Sequence, residues 1–97
     1  MNLQTLHLLR QSPYQSNDFV LCLELVTAAD SVVLLDDGCY TLASNKIDQL
    51  LAITKNVYVI KEHSEARALN TNPLVKAIPL KEINTLLFQH HNSVTWQ

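Results

Sequence analysis

The two thiols are the residues of this 97-residue sequence best suited to chemistry, because a thiolate is a strong nucleophile. That role requires an exposed cysteine whose pKa is lowered by a helix N-terminus or a nearby cation. Cys22 shares an apolar helical stripe with Phe19 and Val26, which favours a buried structural thiol. Cys39 lies near a predicted helix start, but the Asp-Asp pair just before it raises a thiol pKa. We expect both cysteines to be structural, with a reactive thiol at either position as the alternative.

The other polar candidates have simpler explanations than a reactive site. His90-His91 lack the spacing of zinc ligands, so we expect a solvated tail and no bound metal. Asp36-Asp37 could act as paired carboxylates, but a turn that closes a strand explains them as well. Arg67 falls on a short predicted helix, where a solvated or ion-paired arginine is usual and a partner contact is the alternative. No cofactor site is predicted.

The composition argues against several functional classes. Gly38 is the only glycine, whereas nucleotide-binding loops need several glycines to wrap a phosphate. A net charge of −2 without a basic run argues against direct nucleic-acid binding. Charged residues make up 16% of the sequence, against about 25% in an average protein, which predicts that part of the surface meets another protein.

The sequence also carries no targeting or membrane signal that we can identify. No segment is apolar over the roughly 18–20 residues of a membrane span. Residues 1–11 lack the basic and apolar regions of a secretory signal. We therefore expect a cytoplasmic protein with reduced thiols and no membrane association.

Short apolar runs alternate with helical patterns along the chain, and this alternation predicts the elements that position the candidate residues. The continuous apolar runs at residues 31–35 and 57–60 are typical of strands buried on both faces of a parallel sheet. We predict one α/β domain over residues 1–97, a small Rossmann-like open parallel sheet of about four strands with helices on both faces. The predicted elements are strand 3–9, a helix after Ser16 or Asn17, strand 31–35, helix 39–51 broken near Ser44-Asn45, strand 57–60, helix 62–69 capped by a left-handed Asn70, strand 75–78, helix 80–89 and a tail 90–97.

Four segments resemble, in order, the TusB/DsrH subunits of bacterial sulfur-relay complexes. These segments are Leu6-His7 with Ser12-Pro13-Tyr14, residues 29–38 (ADSVVLLDDG), Val57-Tyr58-Val59 with residues 65–69 (EARAL), and Trp96. They cover nearly the whole chain in the order of the family. The resemblance implies a small Rossmann-like subunit that has no activity by itself.

The resemblance also implies partners and a pathway. The subunit would assemble with TusC/DsrF-like and TusD/DsrE-like homologues into a heterohexamer that passes persulfide sulfur on for 2-thiolation of the wobble uridine of tRNA. Similar subunits of the Dsr branch serve sulfur oxidation. In the catalytic subunits the carrier cysteine would follow the third strand, where this sequence has Lys61-Glu62. We therefore expect a noncatalytic structural subunit, with direct transfer by Cys22, which aligns with a cysteine of some DsrH-type members, as the alternative.

Trp96 is the residue for which the sequence most favours a role in assembly. An indole this close to the last residue of the sequence must fold back on its own core or dock on a partner. The low charge content favours the partner, so we predict Trp96, together with Arg67, as interface residues.

Overall fold

Five parallel strands form one sheet in the computed structural model, which describes residues 4–70 and 72–96. The predicted α/β fold class is confirmed, and the sheet has one strand more than the expected four or so. The strand order across the sheet is β4-β3-β2-β1-β5, where the strands are β1 (Thr5–Leu9), β2 (Ser31–Leu34), β3 (Val57–Ile60), β4 (Lys76–Ile78) and β5 (Asn92–Trp96).

Helices cover both faces of this sheet, but unequally. The three connections from β1 to β4 all step in one direction along the sheet, so right-handed crossovers place their helices on the same face. The return from β4 to β5 runs the other way and places its helix on the opposite face. The helices are α1 (Asp18–Leu25), α2 (Lys46–Ile53), α3 (Lys61–Ala66) and α4 (Ile83–Gln89), with 3₁₀ segments Asp36–Ala43 and Leu80–Glu82. None of these described helices is long and apolar enough to cross a membrane.

Alternation along each strand divides the core into two clusters, one on each face of the sheet. Beneath α1 and α2, the larger cluster contains Phe19 and Cys22 of α1, Leu50 of α2 and the inward residues of the strands. Beneath α4, the smaller cluster contains Val33 of β2 and Leu86 of α4. The central strands are buried on both faces, which explains their continuous apolar sequence.

The predicted tail over residues 90–97 is wrong where it covers residues 92–96, because these residues form β5. This strand pairs in parallel with β1, from Thr5 opposite Asn92 to Leu9 opposite Trp96. Its side chains are exposed from Asn92 to Thr95, so the sequence has none of the apolar run that marks a buried strand. The strand forms because the edge of β1 supplies backbone partners, and that edge exists only in the folded sheet.

Other differences from the prediction lie at the ends of helices. The segment predicted as helix over residues 39–51 begins as 3₁₀ turns and changes to α-helix after Ser44, near the predicted break. The predicted left-handed cap at Asn70 is wrong, since α3 ends at Ala66 and Ala68 takes the left-handed conformation with φ 51°. Leu3, the first residue of the predicted strand 3–9, lies outside the described residues, and β1 begins at Thr5.

Candidate functional site

Neither thiol is exposed at the protein surface. The exposed fractions are 1% for Cys22 and 0% for Cys39. Burial raises the pKa of Cys22 to about 12, and the nearby Asp30 carboxylate adds to the rise. The helix α1 turns Cys22 into the larger core cluster, as its apolar stripe predicts. At neutral pH this side chain is a protonated thiol packed among hydrocarbon side chains.

Cys39 lies in the 3₁₀ segment after β2 and also faces the larger core cluster. Burial raises its pKa to about 11, the Arg67 guanidinium opposes that rise, and the Asp36 and Asp37 carboxylates add to it. The thiol donates a hydrogen bond to the Leu34 carbonyl at 3.6 Å. Two features of this site therefore keep it in the thiol form: apolar surroundings and a backbone acceptor for its proton.

The position after β3, where the carrier cysteine of the catalytic subunits is expected, has charged and polar side chains in this chain. The strand ends at Ile60, and Lys61, Glu62 and His63 open α3. The Glu62 carboxylate accepts a hydrogen bond from the Leu80 amide at 3.0 Å, which ties the end of β3 to the end of β4. His63 Nδ1 accepts a hydrogen bond from the Asp36 amide at 2.9 Å, which ties it to the end of β2. These side chains join the strand ends together.

Two Arg–Asp ion pairs and the adjacent His63 form a group that we call the exposed ionic cluster, which consists of Arg10, Asp36, Asp37, His63 and Arg67. Arg10 Nε donates to Asp36 Oδ2 at 2.8 Å. Arg67 donates to Asp37 Oδ1 through Nε at 3.2 Å and through Nη2 at 3.0 Å, and its Nη1 donates to the His63 carbonyl at 3.1 Å. The predicted surface ion pair of Arg67 is present in the structure. Its predicted contact with a partner stays a prediction.

Asp36-Asp37 do follow the strand as expected, but their carboxylates contact arginines of distant segments. Asp36 takes the left-handed conformation with φ 49°, which turns the chain sharply out of β2. Gly38 then presses against the end of β1, and its amide donates to the Arg10 carbonyl at 3.0 Å. A Cβ at this position would stand 1.9 Å from the Leu9 carbonyl oxygen. The only glycine of the sequence therefore permits the close approach of two strand ends.

A cleft of about 370 Å³ opens beside the exposed ionic cluster, at the carboxyl ends of β1 and β2. Hydroxyl, amide and carboxylate groups line it, from Ser12, Tyr14, Gln15, Asp37 and Tyr40. Ligands of open α/β sheets bind at this end of the strands, so the cleft is the candidate functional site of the fold. Of the residues singled out in the sequence, Asp37 lines the cleft directly, and Arg67 is connected to it through its bonds to Asp37.

Trp96 packs against its own core rather than standing free. Its ring stacks on His7 with ring centroids 6.3 Å apart, and its Nε1 donates to His7 Nδ1 at 3.2 Å. His7 Nδ1 is thus an acceptor, so the proton of the neutral ring lies on Nε2, which donates to Asp30 Oδ2 at 3.2 Å. Of the two alternatives for Trp96, the structure shows the fold-back; a further contact with a partner stays a prediction.

Asp30 is the centre of this second group, which we call the buried polar cluster and which consists of Asp30, His7, Trp96, Thr5 and Thr27. Its carboxylate accepts from the Thr5 amide and from the Thr27 amide, each at 3.0 Å, besides the bond from His7. Burial acts to raise the pKa of Asp30, but these hydrogen bonds outweigh it and lower the pKa below its ordinary range. Sequence reasoning missed Asp30 as a structural centre, because its partners lie up to two elements away.

The histidines near the C-terminus differ from each other. His90 is half-buried, with Nδ1 2.6 Å from the Leu86 carbonyl and Nε2 2.9 Å from the Ser31 hydroxyl. His91 is exposed, and its amide donates to the Gln4 carbonyl. The expectation of a solvated tail is therefore wrong for His90, which ends α4 and ties it to β2. Among the described residues, no group of three or more His, Cys, Asp or Glu side chains could hold a metal ion.

Comparison with known proteins identifies the family of this chain. A family model described as DsrH like protein matches residues 11–93 of the chain. The chain belongs to the DsrH-like family. The match includes both cysteines, Asp30 and all members of the exposed ionic cluster except Arg10. It ends before Trp96 and begins after His7.

Two relatives of this DsrH-like chain carry the name Protein TusB. The relative from Erwinia tasmaniensis is 32% identical over 95 residues, which cover 94% of this chain and 99% of the relative. The relative from Buchnera aphidicola is 24% identical over 95 residues, with the same coverage. A solution NMR structure of protein Tm0979 from Thermotoga maritima matches with a TM-score of 0.64 and 23% identity, over 88% of this chain and 92% of that one. This structural match shows the fold of the DsrH-like chain.

Proposed function

We propose that this DsrH-like chain is a noncatalytic structural subunit of a cytoplasmic sulfur relay that supplies persulfide sulfur for 2-thiolation of the wobble uridine of tRNA. The family match and the near full-length TusB relatives support a role in this sulfur-relay pathway. In the proposal, the chain assembles with TusC/DsrF-like and TusD/DsrE-like homologues. One of these homologues carries the sulfur on its own cysteine.

The observation that carries the proposal is the burial of both thiols. In persulfide transfer, an acceptor thiolate attacks the terminal sulfur of the donor persulfide, forms a new S–S bond and releases the donor as a thiolate. The attacking sulfur must be deprotonated and must reach the donor. Cys22 and Cys39 are buried, and their pKa values of about 12 and about 11 leave only a minute thiolate fraction at neutral pH. These properties favour a supporting role over a carrier role.

The chain contributes a rigid surface in this proposal. The exposed ionic cluster fixes the ends of β1, β2 and β3 relative to one another beside the polar cleft. Arg67 and Trp96 are each held by hydrogen bonds, so they can contact a partner without first losing rotamer freedom. We propose that the thiol-bearing homologue docks on this end of the sheet.

Co-expression tests the assembly. We expect the chain to co-purify with its TusC/DsrF-like and TusD/DsrE-like homologues as one species of defined mass. Arg67→Ala should weaken that assembly, while Lys55→Ala, a change of another exposed basic residue away from the carboxyl end, should leave it intact. Recovery of this chain as a free monomer from the mixture contradicts the proposal.

A second experiment tests whether either thiol carries sulfur. The assembled complex is incubated with a persulfide donor, and intact-mass spectrometry measures the addition of one sulfur atom to each chain. We expect the adduct on a homologous chain only, and we expect the double variant Cys22→Ala with Cys39→Ala to retain transfer. An adduct on this chain that Cys22→Ala removes would instead support direct transfer by Cys22.

A third experiment separates the tRNA pathway from the sulfur-oxidation branch. If the chain serves the tRNA pathway, deletion of its gene should cause loss of thiolated uridine.

A further inference from the structure

His63 accepts a hydrogen bond that only a neutral imidazole ring can accept. The Asp36 amide donates to His63 Nδ1 at 2.9 Å. A backbone amide is always a donor, so Nδ1 is unprotonated and the single ring proton lies on Nε2. The His63 side chain is 22% exposed, so the ring can exchange protons with water while the protein stays folded. The bond therefore depends on the charge state of an accessible histidine.

The Asp36 carboxylate offers the protonated ring a different acceptor. Asp36 Oδ1 lies 3.7 Å from His63 Nδ1, beyond hydrogen-bond distance, and Asp36 Oδ2 accepts from Arg10 Nε at 2.8 Å. When Nδ1 gains a proton, it and the Asp36 amide become two donors that face each other, and their contact is no longer favourable. Asp36 thus supplies a donor that suits the neutral ring and an acceptor that suits the charged ring.

The Asp36 amide belongs to a turn with a strained backbone. Asp36 has φ 49°, a left-handed conformation that residues other than glycine adopt at a cost and keep where the surrounding structure holds them. Two contacts of Asp36 itself hold the turn, from its amide to His63 and from its carboxylate to Arg10. A proton on His63 removes the first of these contacts, so the turn is the element that responds.

We propose that the contact between Asp36 and His63 is a pH-sensitive switch at the candidate functional site. In the neutral state, His63 Nδ1 holds the Asp36 amide and with it the left-handed turn. In the protonated state, the Nδ1–H group donates to the Asp36 carboxylate, the Asp36 amide turns to water and the backbone relaxes. The switch belongs to mildly acidic conditions, since histidine is the side chain that ordinarily changes charge between about pH 5 and 8.

The relaxed turn moves one wall of the polar cleft. Asp37, which follows Asp36 directly, lines the cleft and accepts from Arg67 Nη2 at 3.0 Å. Arg67 also donates through Nη1 to the His63 carbonyl at 3.1 Å, so one arginine contacts both sides of the switch. Tyr40, in the same 3₁₀ segment as the turn, lines the cleft as well. Protonation of His63 therefore changes the shape of the cleft.

The charge at the cleft changes together with its shape. While His63 is neutral, the two arginines and two aspartates of the exposed ionic cluster cancel, and protonation leaves one excess positive charge. On α3 the neighbouring charged side chains are Lys61, Glu62 and Glu65, and the Glu62 carboxylate is bonded to the Leu80 amide. The border of the cleft thus becomes more favourable to acidic groups as the pH falls. This inference concerns contacts within the chain and does not depend on the sulfur-relay proposal.

NMR of the purified, ¹⁵N-labelled chain between about pH 8 and about pH 5 tests the switch. At the upper pH we expect a scalar coupling across the hydrogen bond between the Asp36 amide nitrogen and His63 Nδ1. As the ring gains its proton, this coupling should vanish. Hydrogen exchange of the Asp36 amide, corrected for its intrinsic pH dependence, should become about tenfold faster or more. The amide signals of Asp37 and Tyr40 should shift with the same midpoint as the ring.

Two variants separate this contact from general effects of acid. His63→Gln offers the Asp36 amide a side-chain oxygen that does not titrate, so we expect the signals of Asp37 and Tyr40 to lose their transition. His91→Gln is the matched control, since His91 is exposed and lies beside Gln4 before the start of β1. We expect this control to keep the transition with an unchanged midpoint.

Three results would overturn the inference. One is the absence of the coupling at the upper pH. Another is an Asp36 amide that keeps its coupling or its exchange protection after the His63 ring is protonated. The third is a transition at Asp37 and Tyr40 that persists in His63→Gln. The first two results come from the wild-type chain, so they remain decisive if His63→Gln fails to fold.

Discussion

Asp30 in the buried polar cluster and Asp37 in the exposed ionic cluster are both hydrogen-bonded carboxylates, but their surroundings are very different. Asp30 is 6% exposed at its side chain and its His7 partner 3%, whereas Asp37 is 51% exposed and its Arg67 partner 24%. Water and salt compensate for the loss of an exposed ion pair, which contributes about 0–1 kcal/mol. Removing one member of a buried pair leaves the other without a partner and costs about 3–5 kcal/mol. The buried cluster therefore holds the fold, and the exposed cluster is free to serve a surface.

The largest effect should come from Asp30→Asn. The substitution keeps the shape of the side chain but turns one acceptor oxygen into an NH₂ donor. In one orientation this NH₂ group faces the donors of Thr27 and His7, and in the other it faces the Thr5 amide. A changed His7 tautomer would only move the conflict to Trp96. We expect a loss of about 2–4 kcal/mol in the free energy of unfolding, measured by urea denaturation. The matched change Asp37→Asn should cost under about 1 kcal/mol.

The pH dependence of stability distinguishes the same two carboxylates. Although burial acts to raise the pKa of Asp30, its hydrogen bonds hold the folded pKa below the ordinary value of 3.8. A group of this kind stabilises the fold above its unfolded pKa, and that stabilisation is lost as the pH falls through the folded pKa. The difference in stability between wild type and Asp30→Asn should therefore be constant near neutral pH and shrink below about pH 4. A difference that grows with acidity would contradict the assignment.

Gly38→Ala should have the next largest effect, and it tests what holds the carboxyl end of the sheet. The new Cβ would lie 1.9 Å from the Leu9 carbonyl oxygen, so the chain must move away from β1. We expect a loss of about 2 kcal/mol or more in the free energy of unfolding. Ala43→Gly, an exposed change in the same 3₁₀ segment, is the control and should cost about 1 kcal/mol or less. Equal losses would mean that backbone contact with β1 is not what fixes this loop.

Trp96→Phe should have a moderate effect within the buried polar cluster. The phenyl ring keeps an aromatic surface against His7 but donates no hydrogen bond, so His7 Nδ1 loses its donor. We expect a loss of about 1–2 kcal/mol, and faster hydrogen exchange along β5 than elsewhere in the sheet. Uniform changes in exchange across all strands would contradict a local role for this bond.

Arg67→Ala should have the smallest effect on stability. The guanidinium bonds Asp37 and the His63 carbonyl at the protein surface, so we expect a loss of about 1 kcal/mol or less that diminishes further at high salt. The same variant should also weaken the proposed assembly with the homologous subunits. A loss comparable to that of Asp30→Asn would remove the distinction between the two clusters.

The local pattern of apolar residues was sufficient to predict the elements that bury apolar side chains. The strands β2 and β3 were predicted within one residue, because a strand covered on both faces needs a continuous apolar sequence. The burial of Cys22 followed from its helical stripe. The strand β5 was missed, since an edge strand with exposed side chains has no such pattern. Its hydrogen bonds come from β1, more than eighty residues earlier in the chain.

The sequence by itself determined the α/β class, the order of the central elements and the family resemblance, all of which depend on short-range patterns of apolar and turn residues. The tertiary structure alone decided which polar groups meet. Asp30 is 23 residues from His7, Asp37 is 30 residues from Arg67, and Trp96 is 89 residues from His7. Judged by residue type alone, each of these side chains has many possible hydrogen-bond partners in the sequence. Only the folding of the strands beside one another selects one partner, and the burial that results sets how much the contact stabilises the protein.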